Sequence, residues 1–121
     1  MSIGDPKKAW GLRRLRKRSQ FLQVYRQGES VHTRTLVLYF LRNDGENHRI
    51  GITASRKIGK AVVRNRIKRA LREIFRSYEV LMPTMDLVVN TKKASASASF
   101  AELREDYLSA VERVKVKREG K

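Results

Sequence analysis

Between residues 59 and 78 the apolar side chains return at a helical interval, and almost everything between them is cationic. Ile67, Leu71, Ile74 and Tyr78 fall at i, i+4, i+7 and i+11, with Val63 and Ala70 beside them. That is the stripe a helix needs in order to lie on a core. At 100° per residue the apolar set spans roughly −60° to +40° about Ile67. Arg64, Lys68 and Arg72 then run along one edge of the seam, and Asn65, Arg69 and Arg76 carry the basic field onto the opposite face. Like charges four apart destabilise an isolated helix by roughly 0.2–0.5 kcal/mol per pair, and only Glu73, on the other flank, offsets them. A helix built against its own stability must be held by a core on one side, and it gains most from an anion on the other. Solvated faces usually mix signs and this one hardly does, which favours phosphate over plain solubility.

The rest of the chain deepens that bias. Lys and Arg total 28 against 12 acidic residues, a formal charge of +16 over 121 residues. Such an excess repels itself in a compact state unless a polyanion neutralises it. An anionic membrane would call for an exposed apolar helix face or a lipid anchor. No apolar run approaches spanning length, and residues 1–10 lack the apolar core of a signal peptide. The expectation is a cytoplasmic protein with a nucleic-acid partner and no membrane attachment. There are no cysteines, and His32 and His48 stand alone, so neither disulfides nor a thiolate or histidine metal cluster is expected.

With 40% apolar residues, the chain suits a single folded domain. Residues 1–14 read as a flexible basic tail, 15–114 as the domain and 115–121 as a second basic tail. Ser19 and Gly28 bracket a short helix over residues 20–27 as N-cap and C-terminal stop. Residues 34–41 read as a strand, with Leu36, Leu38 and Phe40 on one face and Val37, Tyr39 and Leu41 on the other. Asn43-Asp44-Gly45-Glu46 is a turn signal, and residues 48–54, with Ile50 and Ile52 facing one way, read as the returning strand of a hairpin. A further short strand near Val31 has weaker support. After the basic helix come a strand over residues 85–90, a Ser-Ala loop over 94–99, and a last helix opened by a Ser99/Glu102 capping box. Phe100, Leu103, Tyr107, Val111 and Val114 form its apolar face, and Glu102, Glu105 and Asp106 suit its N-terminal dipole. The order helix, two or three strands, helix, strand, helix makes one α+β domain with a single sheet.

Some residues keep two readings. Arg66 points away from the basic stripe, so bracing a loop and touching RNA have equal claims on it. Asn65 could brace the loop at residues 55–60 or bond a sugar or base edge. Phe21 and Tyr25 share a helix face, which is more often core; but Leu22 and Val24 could supply the core face instead. That would free the two aromatics, with Tyr39 from the neighbouring strand, to stack on single-stranded bases. Asp86 and the other carboxylates form no pair that periodicity brings together, so a protein nuclease in its own right is not expected.

Read as one stretch, Ile50-Gly51-Ile52-Thr53-Ala54-Ser55-Arg56-Lys57-Ile58-Gly59-Lys60-Ala61-Val62-Val63-Arg64-Asn65-Arg66-Ile67-Lys68-Arg69 resembles the signature of the bacterial ribonuclease P protein subunits. Phe21, Tyr25, Gly28 and Tyr39 extend the resemblance, which runs from about Leu15 to Val114. It implies an αβββαβα fold similar to a domain of a small-subunit ribosomal protein. It also implies a left-handed βαβ crossover, where the general rule would give a right-handed one in about 98% of cases. It implies a non-catalytic protein partnered one-to-one with the ribonuclease P RNA, which carries the Mg²⁺ and hydrolyses precursor tRNA to give the mature 5′ end. On the resemblance, Arg56, Lys57, Lys60, Arg64, Asn65, Arg66, Lys68, Arg69 and Arg72 contact RNA, and Phe21, Tyr25 and Tyr39 line a cleft for the 5′ leader. Tyr25 stands where phenylalanine is common, a change that keeps a stacking face. The main alternative is a ribosomal or other structured-RNA-binding protein without a processing role. A double-stranded DNA architectural protein is a second, but it would have no use for exposed Phe21 and Tyr25.

Overall fold

The computed structural model describes residues 14–43, 48–78 and 84–119. Its elements are α1 (Arg18–Gln27), β1 (Glu29–His32), β2 (Leu36–Arg42), β3 (Arg49–Thr53), α2 (Ala61–Tyr78), β4 (Met85–Thr91) and α3 (Phe100–Glu119), with short 3₁₀ turns at Arg56–Ile58 and Lys93–Ser97. The weakly signalled strand at Val31 is therefore present, and the order is αβββαβα.

The sheet runs β1-β2-β4-β3. β2 is antiparallel to β1 and to β4, while β3 is parallel to β4. The expected hairpin between residues 34–41 and 48–54 does not form. β4 lies between those strands because Met85 to Val89 are all buried, and a strand that hides both faces belongs at the centre of a sheet. Arg49, Ile52 and Thr53 of β3 are half-buried and suit an edge. Of the turn residues invoked for the hairpin, Asp44, Gly45 and Glu46 lie outside the described residues. The hairpin that does form joins β1 to β2: Thr33 Oγ accepts the Leu36 N–H at 3.0 Å, and the Thr33 N–H donates to the Leu36 carbonyl at 2.8 Å. Asp106 of α3 fastens that turn by accepting from the Thr35 N–H and hydroxyl.

The two sheet faces carry separate cores, so the domain has three layers. Leu36, Leu38, Phe40, Ile50, Leu87 and Val89 meet Ile67, Leu71, Ile74 and Phe75 of α2 and Leu103, Tyr107, Ala110, Val111 and Val114 of α3. On the other face Val88 packs with Leu15 and Val24, and Phe21, Tyr25, Tyr39 and Leu41 close around them. The expected alternation along β2 is the one observed. Phe75 is fully buried while Tyr78 is half-buried, so the apolar arc of α2 is wider than the seam drawn from Ile67 alone.

Helix ends follow local chemistry. α1 starts at Arg18, ahead of the expected Ser19 cap, because Gln20 Oε1 accepts the N–H groups of Arg16 and Lys17 at 2.9 and 3.0 Å. It stops as expected at Gly28, whose N–H bonds the Val24 carbonyl at 2.9 Å. Ser99 and Glu102 form the expected reciprocal box at 3.0 and 3.1 Å. The Ser99 backbone bond is the main reason the Glu102 carboxyl sits below its ordinary pKa. α3 continues to Glu119, past Val114 and into the segment expected to be a basic tail, and Lys117 Nζ reaches the Ser30 carbonyl on β1 at 3.0 Å. Phe100, expected on the core face of α3, is instead 40% exposed. Ala98 and Leu103, at the N′ and N4 positions of a hydrophobic staple, are both buried, which leaves Phe100 outside.

Candidate RNA-binding surface

The face of the sheet under α1 is built from alternate residues: Tyr39 on β2, Gly51 and Thr53 on β3, Val88 and Asn90 on β4. Val24 alone of the α1 apolar residues is completely buried; Leu22, Phe21 and Tyr25 are half-buried. Phe21 and Tyr25 therefore serve both readings, each packing against the small core while remaining part-exposed. The Phe21 ring rests directly on Gly51, where an added Cβ would stand 2.4 Å from it. Tyr25 meets Tyr39 edge-to-face, with centroids 4.8 Å apart and planes at 87°. The Tyr25 hydroxyl donates to Asn90 Oδ1 at 2.9 Å, and the Thr53 hydroxyl bonds the same oxygen. Asn90 and Thr53 were not expected at this site. The period-2 alternation of Asp86, Val88 and Asn90 could have found Asn90, once α1 was known to cover that face.

Phe21 also borders a cleft of about 450 Å³, lined by Arg14, Leu15, Arg16, Ile50, Gly51, Ile52, Lys68 and Arg72. The Leu15 N–H bonds the Ile50 carbonyl at 2.9 Å, and Arg14 bridges to Ile50, so residues 14 and 15 run beside β3. Arg14, Arg16, Lys68 and Arg72 thus converge, with no carboxylate among the lining residues. Burial, and then the charge of Arg14, push the Arg72 guanidinium below its usual pKa. Four cations gathered beside an aromatic ring fit a phosphodiester whose bases stack. Arg14 and Arg16 are plain in the sequence as cations, but only the contact of residues 14 and 15 with β3 gives them a place.

The remaining faces of α2 differ from one another. Arg64 is half-buried, and its Nε is buried without a protein partner. Asn65 and Arg69 are exposed, and Arg69, Arg72, Glu73 and Arg76 flank a second groove of about 410 Å³. Arg66 does brace a loop, since its Nη2 donates to the Ala96 carbonyl at 2.9 Å, but it too is exposed. Asn65 does not brace the loop before α2. Backbone bonds from Ile58 N–H to the Ser55 carbonyl and from Arg64 N–H to the Lys60 carbonyl, both 3.0 Å, close it. Ile58 is buried as an anchor, Gly59 takes a φ of 154° that suits only glycine, and Arg56, Lys57 and Lys60 are left exposed. Asp86, the buried carboxylate of β4, is held by Arg49 at 2.8 and 2.7 Å and by Asn43 at 2.8 Å.

The family model described as Ribonuclease P matches residues 11–118. The chain belongs to the ribonuclease P protein family. A ribonuclease P protein component from Clostridioides difficile is 35% identical over 104 residues, covering 84% of this chain and 91% of that one. The solved ribonuclease P protein of Staphylococcus aureus superposes with a TM-score of 0.81 at 30% identity, covering 86% and 96% of the two chains. That of Thermotoga maritima gives 0.76 at 36%, covering 83% and 96%. For a ribonuclease P protein whose α2 meets phosphate, Arg64→Ala and Lys68→Ala should each lower the salt slope of RNA binding by about one. Titrations at several salt concentrations check this, and an unchanged slope would mean those side chains do not reach phosphate.

Proposed function

We propose that the chain is the protein subunit of a ribonuclease P, one copy joined to one catalytic RNA, and that it assists removal of the 5′ leader from precursor tRNA. The observation that carries this is the union of the part-exposed Phe21 ring with Arg14, Arg16, Lys68 and Arg72 in one cleft. A protein that only docks on folded RNA needs the cations but not the seated aromatic. In this reading the cleft, with Tyr25 and Tyr39, takes the single-stranded leader. The exposed cations of the Arg56–Ile58 turn, Lys60, Asn65, Arg66 and Arg69 face the catalytic RNA.

The work of the side chains is electrostatic and selective. Cations placed between two RNAs offset their mutual repulsion, which lowers the demand for bulk cation. Contacts to a leader that mature tRNA lacks favour precursor over product. Mg²⁺ bound mainly by the RNA supplies the chemistry of phosphodiester hydrolysis. Among the described residues no three His, Asp or Glu side chains come together as a metal site, and no helix is long and apolar enough to cross a membrane. The protein's part is to bind and orient.

The decisive experiment is reconstitution with the cognate ribonuclease P RNA at low Mg²⁺, where the folded protein should restore leader cleavage. Binding without any stimulation would favour a structured-RNA-binding protein and overturn the proposal.

A further inference from the structure

Phe100 and Val62 are two large apolar side chains on the surface, 40% and 80% exposed, and both line one groove of about 470 Å³. This groove lies where α2 meets the start of α3, on the side of α2 away from Phe21. Its other lining residues are Asn65, Arg66, Arg69, Ala70 and Glu73, and the Arg104 guanidinium stands 6.0 Å from the Phe100 ring centre. The fold does not need Phe100 there, because Ala98 and Leu103 already occupy the staple positions of α3.

We infer that this groove is a second nucleobase site, which takes one unpaired base of the catalytic RNA stacked on Phe100. The inference rests on the proposed docking of α2 against that RNA. Charge complementarity selects the occupant: Arg66, Arg69 and Arg104 border an apolar floor in a chain of charge +16, so an apolar surface that also carries phosphate fits where a purely apolar peptide does not. Val62 closes the groove on the α2 side. Asn65 can donate to or accept from a base edge, and the Glu73 carboxylate can only accept, so it favours a base that presents an amino group. Arg66 already gives one guanidinium nitrogen to the Ala96 carbonyl, which fixes its remaining donors at the rim for the flanking phosphate.

The test measures affinity for the cognate ribonuclease P RNA without tRNA. Phe100→Ala should weaken binding by about tenfold, within the range found for loss of one base–aromatic stack, and should leave the salt slope unchanged because no phosphate contact is lost. Phe100→Leu should lose as much, since it keeps apolar bulk but no ring face, while Phe100→Tyr should bind normally. In a Trp10→Phe background, fluorescence of the Phe100→Trp protein should be quenched by the RNA and not by a leader oligonucleotide. Wild-type affinity for Phe100→Ala, a Leu variant that binds as tightly as the Tyr variant, or an RNA that leaves the fluorescence unchanged would each overturn the inference. The unchanged protein should stimulate cleavage whatever these variants do, so failure of this site is distinct from failure of the proposed function.

Discussion

Phe21→Ala is expected to weaken binding of precursor tRNA by about tenfold or more, while affinity for mature tRNA stays within about twofold, because one base–aromatic stack contributes about 1–3 kcal/mol. The ring is half-buried and packs on the smaller core, so the substitution also removes some apolar contact, and the comparison of the two tRNAs cancels that common loss. Gly51→Ala isolates the geometry. Its methyl would stand 2.4 Å from Cε2 and Cζ of Phe21, the far end of a side chain that can swing away, so the sheet survives while the ring leaves its seat. It should show the same selective loss with the Phe21 side chain still present. Equilibrium binding of precursor and mature tRNA to the holoenzyme checks both variants. Equal losses for the two tRNAs would mean that Phe21 supports the fold and does not touch the leader.

The largest loss of stability is expected at Asp86, which looks from the sequence like a stray carboxylate. It is 3% exposed, accepts two bonds from Arg49 and one from Asn43, and its bond to Arg49 raises the pKa of the guanidinium. Asp86→Ala leaves Arg49 without its counter-charge, and breaking a buried pair in this way costs about 3–5 kcal/mol. The Arg49 side chain is 34% exposed and can regain some water, so about 2–4 kcal/mol is expected, a fall in Tm of roughly 10 °C for a domain this size. Asp86→Asn keeps the volume and one acceptor and should lose less. Thermal and urea unfolding followed by circular dichroism test the order; an Ala variant as stable as the parent would show that the pair is no more than a surface contact.

Much of the site was legible because helical periodicity is local. The spacing of Ile67, Leu71 and Ile74 fixed which side of α2 is buried, and thereby which side carries Arg64, Lys68, Arg69 and Arg72. What spacing left open were the alternatives that depend on a second element. Arg66 turned out to brace a loop because Ala96 stands opposite it. Phe21 and Tyr25 were neither pure core nor free platform, because α1 lies close enough to the sheet for Gly51 and Asn90 to seat them. Phe100 kept the period of α3 and still fell outside the core, since Ala98 and Leu103 fill the place it would have taken.

The sequence by itself determined the three helices, the Gly28 stop and the Ser99/Glu102 box, the two faces of each strand and a cationic field offset only by Glu73, all of which depend on residues within a few positions of one another. Strand order was decided only by the tertiary structure. Asp-Gly between two apolar strands favours a hairpin locally, yet β4 hides both of its faces and so takes the place beside β2, leaving β3 at the edge. That choice compares the burial of whole strands, which no local spacing records. It also carries Gly51 under Phe21 and brings Lys68 and Arg72 to the same cleft, so the basic helix and the aromatic seat, distant in sequence, become one surface.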